Sequence, residues 1–92
     1  MLGGARTSID ETSRSSLADT ALGTRVRIVS ADLDDDVAAW LAAVGLHAGE
    51  EVTVLRRAAF GGPLHVRTSA GGEFAVAREL AARLRVEREG RR

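Results

Sequence analysis

The chain has 92 residues, a length that holds one domain and lies near the size at which burying a core is marginal. Its 13 basic and 13 acidic residues cancel, which removes any bulk attraction to nucleic acid or anionic lipid. It has no cysteine, so disulfides, thiolate metal sites and a cysteine nucleophile are excluded.

Every basic residue is arginine, a usage that reads first as genome composition, although arginine's rigid planar fork also suits interfaces. The longest apolar run, Val37 to Val44, is half alanine and far short of the ~20 residues of a membrane helix. The start of the chain lacks the apolar segment of a signal peptide, and Leu2 stands where myristoylation needs glycine. A soluble, cytoplasmic protein is expected.

Residues 1–16, rich in Gly, Ser, Thr and charge without periodicity, read as a disordered tail. From Leu17 to Gly23 a lead-in turn carries the apolar Leu17, Ala21 and Leu22, and Gly23 permits the bend into the first strand. Arg25 to Ser30 alternates, pointing Val26 and Ile28 to one face and Arg25 and Arg27 to the other.

A helix of about three turns follows up to Gly45. Asp34 or Asp32 is placed to cap its first amides, while Asp35 and Asp36 offset the helix dipole. Val37, Leu41 and Val44 share a face with Trp40 beside them, a pattern that favours core for Trp40 over interface, and Gly45 supplies the left-handed C-terminal residue.

Glu51 to Arg57 alternates again, with Val52 and Val54 inward and Thr53, Leu55 and Arg57 outward. The stretch Ala58 to Pro63 must bend sharply, because two glycines and a proline cannot continue a ladder. Leu64 and Val66 face inward on the next strand, leaving His65 and Arg67 outside; Ser69 to Gly72 is a hairpin turn, and Phe74 and Val76 resume the inner row. A short helical turn, Ala77 to Arg83, buries Leu80 and sets Glu79 and Arg83 at i, i+4. A last strand, Leu84 to Glu87, precedes the charged tail 88–92. Five short strands with one inserted helix point to a mainly β fold, a small closed or nearly closed barrel over residues 17–87.

Catalytic chemistry finds no support. The pairs Gly61-Gly62 and Gly71-Gly72 lack the lysine and the strand-to-helix setting of a phosphate loop, and neither histidine has a serine or acid at motif spacing. Asp32, Asp34 and Asp36 begin like a calcium loop, but Val37 replaces its glycine and Ala43 its closing glutamate. His47 and His65 are not at chelating spacing. No cofactor is expected, and ferrous iron is expected to bind weakly or not at all.

What remains is binding by surface. Arg25, Arg27, Arg57, His65 and Arg67 all fall on the outer side of the strands, forming a basic strip opposite the acidic helix start or simply a solvated strand face. Phe60, in the bend, either anchors a contact or packs back over one barrel end. The candidate partner-binding residues are thus Arg57 and Phe60, with Arg25, Arg27 and Arg67. Replacing Phe60 and Arg57 is expected to weaken partner binding and leave stability nearly unchanged.

The order of these segments resembles the ferrous iron transport protein A (FeoA) family. It runs from Leu17 and the strand after Gly23, through the helix ending Val44-Gly-Leu-His-Ala-Gly49 and the strand Glu51 to Arg57, to Gly-Gly-Pro-Leu-His-Val-Arg67 and the segment Phe74 to Val86. The resemblance covers about Leu17 to Glu87. It implies an SH3-like β-barrel that acts without enzymatic activity in the cytoplasm, contacting the GTP-binding part of a FeoB-type ferrous iron permease. The same barrel forms the C-terminal domain of repressors of the diphtheria-toxin-repressor type, so the alternative is a metal-linked regulatory module touching another protein or a second copy of itself. Two departures from the family stand out: Ala48 where a proline is usual, and the acidic helix start Asp34 to Asp36.

Overall fold

A computed structural model describes residues 15–88; residues 1–14 of the tail expected at 1–16 and residues 89–92 of the charged end expected at 88–92 lie outside the described residues. The chain runs from a 3-10 turn (Leu17–Asp19) through β1 (Arg25–Ala31), α1 (Asp35–Ala43), β2 (Glu51–Arg57), β3 (Leu64–Thr68), β4 (Glu73–Val76) and α2 (Arg78–Ala81) to β5 (Leu84–Arg88). All five strands form one antiparallel sheet in the order β4-β3-β2-β1-β5. This is the mainly β fold that the alternating segments require.

Period-two burial makes the sheet one-sided. Val26, Ile28, Val52, Val54, Leu64, Val66, Val76, Leu84 and Val86 join Leu17, Ala18, Leu41, Leu46 and Ala81 in a single buried cluster. One sheet face can supply all those strand residues to one cluster only by wrapping around it. Closure is incomplete, since among the described residues no ladder joins β4 to β5. The chain instead covers the outer side of β5: Ser16 forms a bridge with Arg85, and the Val86 amide donates to the Ser15 carbonyl at 2.8 Å. Ser15 and Ser16 therefore pack with the sheet, and β5 reaches Arg88, one residue beyond the expected strand.

Helix α1 shows how local chemistry sets an element's ends. Asp34 occupies the N-cap with extended backbone, but its side chain makes no capping hydrogen bond; the expected carboxylate cap is absent, and the first helical bond runs from the Ala38 amide to the Asp34 carbonyl at 2.9 Å. At the other end Gly45 has φ +107°. Its amide donates to Ala42 at 3.0 Å and the Leu46 amide to Leu41 at 2.8 Å, the paired bonds of a Schellman motif. This motif turns Leu46 into the core beside Leu41.

The Schellman turn also corrects the expected helix face. Val44 lies past the last helical residue and is 40% exposed, and Trp40 is 62% exposed rather than buried. Leu46, beyond the glycine, takes the core position that the i+7 pattern assigned to Val44. In α2 the fully buried residue is Ala81; Leu80, expected to be buried, is half-buried and packs against the cluster.

Candidate functional site

The outer face of the sheet carries the expected arginines, but register interleaves them with acids. Arg25 reaches Glu51 at 3.4 Å, Arg67 reaches Glu73 at 3.4 Å, and His65 lies 3.1 Å from the same glutamate. Arg27 stands opposite Glu51 on β2 and opposite Glu87 on β5. Opposite charges across neighbouring strands each contribute only a few tenths of a kcal/mol, up to about 1. The hydrogen bond from His65 and then the Arg67 guanidinium hold the Glu73 carboxyl below its ordinary value. Arg25, Arg27 and Arg67 thus lie in a mixed-charge face and not in an uninterrupted basic strip.

Arg57 is displaced from that face altogether. A bulge between Val54 and Arg56 shifts the β2–β3 register, so that Arg56 pairs with His65 and Arg57 with the buried Leu64. One extra residue reverses the side-chain alternation, which puts Arg57 on the inner side at the open end of the sheet. There its guanidinium Nη2 donates to the carbonyl oxygens of Ala18 and Thr20, each at 2.6 Å. The outer-face position expected for Arg57 is thus corrected, with the residue still exposed; the expectation that its loss leaves stability nearly unchanged stands against these two hydrogen bonds.

Phe60 projects from the same end of the molecule. The tip between β2 and β3 is closed by the Ala58 amide on the Pro63 carbonyl at 3.0 Å and by the Gly62 amide on the Ala59 carbonyl at 3.2 Å. Phe60 and Gly61, the two central residues of the inner turn, have φ +59° and +75°. Phe60 is 105% exposed, so it does not pack back over the barrel end.

At the opposite end, Glu50 links two loops. Its carboxylate accepts from the Ser69 hydroxyl at 2.6 Å and the Ser69 amide at 3.0 Å, tying the β3–β4 hairpin to the start of β2, with His47 3.8 Å away. The Ser69 hydroxyl bond, aided by the Ser69 amide and by His47, lowers the Glu50 carboxyl from its ordinary value against a smaller opposing effect of burial. The two histidines are thus held beside different glutamates. Among the described residues, no group of three or more His, Asp or Glu side chains is placed to hold a metal ion.

Trp40 is the surface residue that the sequence pattern missed. It stands on α1 with the exposed alanines of the same helix and with Val44 just past its end, and the signal for it was the shortness of a helix that can bury only one narrow stripe. A broad cleft beside the 3-10 turn, lined by Asp19, Val29, Arg78, Arg85 and Glu87, mixes charges of both signs and brings no set of reactive groups together.

Residues 15–88 match the FeoA domain family. The crystal structure of an iron uptake regulatory protein (FeoA) is 24% identical, with 80% of this chain and 96% of that chain covered at a TM-score of 0.73. The solution structure of a FeoA protein from Chlorobium tepidum is 25% identical, with 82% and 70% covered at a TM-score of 0.74. A manganese-dependent transcriptional repressor shares the fold at 20% identity and a TM-score of 0.73, with 82% of this chain and 36% of that chain covered. No curated protein has a significant sequence match to the chain.

Proposed function

Because the chain belongs to the FeoA domain family, a family of non-enzymatic accessory domains associated with ferrous iron uptake, we propose that it works in the cytoplasm by direct contact with the GTP-binding part of a FeoB-type permease. The observation that carries this reading is the family match across residues 15–88. Two features of the molecule support action through contact. Among the described residues no helix is long and apolar enough to cross a membrane, and aromatic and arginine side chains of the kind that anchor interfaces stand on the surface at Phe60, Trp40 and Arg56.

The test is binding between the purified full-length chain and the soluble GTP-binding domain of the permease, by calorimetry or pull-down. Saturable association is expected; its absence with both nucleotide-free and GTP-loaded domain would remove the proposal. The regulatory alternative draws on the fold shared with the manganese-dependent repressor. It would gain ground if the chain associated with itself or with another protein and ignored the permease domain.

A further inference from the structure

We propose that the β2–β3 hairpin is a preformed prong, with Phe60 as its apolar anchor, and that the surface it fits is an apolar pocket rimmed by carboxylates on a protein partner. This rests on the reading of the chain as a module that acts by contact, and it assigns that contact to one end of the molecule.

Backbone strain is the first observation. A bulky residue with positive φ is a conformational outlier, because the left-handed region brings Cβ too close to the following carbonyl oxygen. Turns with positive φ at both central residues ordinarily take Asn-Gly or Gly-Gly; here the first place holds Phe60. The surrounding tip imposes the conformation. Two hydrogen bonds close it, and Ala58 and Gly62 are pressed so tightly together that a Cβ on Gly62 would meet the Ala58 Cβ at 2.7 Å. Strain held in this way, on a side chain that touches nothing in its own fold, is characteristic of ligand clamps and contact sites.

Rigidity is what such a tip contributes. An aromatic side chain has only two rotatable bonds, and a backbone already fixed in its bound shape loses little freedom on docking. The protein core gains nothing from Phe60, because the residue is fully solvated.

Charge identifies the occupant. Between Glu51 and Glu73 the sequence has no acidic residue, and of the bases in that stretch His65 and Arg67 lie against Glu73 while Arg57 is held by backbone carbonyls, which leaves Arg56 to the tip. Arg56 is exposed at the base of the tip, and the Arg78 side chain comes within 4.0 Å of where a Gly61 Cβ would stand. An aromatic tip with Arg56 at its base and the Arg78 stem beside it complements an apolar pocket with carboxylates at its rim. A lipid surface is a poorer match, since one aromatic between alanine and glycine buries little, Arg57 is held by backbone carbonyls, and stable anchoring at a membrane takes more than one such signal.

The experiment compares the full-length chain with Phe60→Ala, Phe60→Gly and Arg56→Glu, using the permease's soluble GTP-binding domain as probe and thermal melting as the fold control. Phe60→Ala is expected to weaken binding about tenfold or more. Phe60→Gly should lose affinity similarly without lowering the melting temperature, because glycine relieves the left-handed strain. Arg56→Glu should weaken binding, and added salt should weaken that of the unaltered chain. Equal affinity of the unaltered chain and both Phe60 variants would overturn the prong and leave the partner reading standing. No binding by the unaltered chain would overturn both. Phe60-dependent capture by phosphatidylcholine–phosphatidylglycerol vesicles, with affinity for the protein probe unchanged by Phe60→Ala, would overturn it in favour of a membrane contact.

Discussion

Arg57 links the end of β2 to the 3-10 turn through the carbonyl of Ala18 within it and that of Thr20 just past it. Hydrogen bonds from a charged donor are among the stronger ones, but this guanidinium is partly in water, so Arg57→Ala is expected to cost roughly 1–2 kcal/mol. Urea denaturation of the unaltered chain, Arg57→Ala and Arg57→Met checks this, with Met keeping the stem and losing both bonds; equal midpoints for all three would show the contact to be energetically idle. Nothing in the alternation of Glu51 to Arg57 marked the change of side. A bulge leaves no trace in a seven-residue strand read alone, because the extra residue is extra only relative to the partner strand. Phe60 was legible as an anchor candidate because two glycines and a proline fix a bend around it, whereas its positive φ depends on closure by Ala58 and Pro63 and was not.

Helix α1 is short enough for its C-terminus to decide what it buries. With Gly45 at φ +107° and Leu46 folded back beside Leu41, the Schellman turn does the work of another helical turn. Gly45→Ala is expected to destabilise the domain by about 1–2 kcal/mol, with Gly45→Asn milder because asparagine tolerates the left-handed region. Space does not limit the substitution, since an added Cβ would meet only the Thr68 methyl at 3.6 Å. Denaturation midpoints ordered glycine, asparagine, alanine would confirm a backbone effect; equal midpoints would refute it. Gly45 itself was readable in the sequence as a helix stop. That it would exchange Val44 for Leu46 in the core, and so leave Trp40 outside, depends on the depth to which the sheet receives the turn. The five strands were legible because period-two burial is strong in each, yet pairing of Arg25 with Glu51 and of Arg67 with Glu73 follows from register, which side-chain alternation alone does not specify.

Across the whole molecule, charges of both signs stand near one another, as with Arg27 opposite Glu51 and Arg83 beside Asp32. Stability should respond to acid through the two carboxyls that the fold holds ionised. Both Glu50 and Glu73 lie below 4.5 when folded, so their contribution is complete above the unfolded value near 4.5 and is lost as the pH falls through the lowered folded value. Glu50→Gln should thus cost stability at neutral pH, and the gap to the unaltered chain should narrow as the pH drops below about 4.5; a gap independent of pH would show that the ionised Glu50–Ser69 contact contributes nothing.

The backbone bond between Ser15 and Val86 brings the beginning and the finish of the described fold side by side. A short peptide could sew them together, and the ring so made could be cut between Ala70 and Gly71, outside every strand. Chain order would change while each ladder kept its partner, so the pairing of the described strands does not depend on which of them comes first.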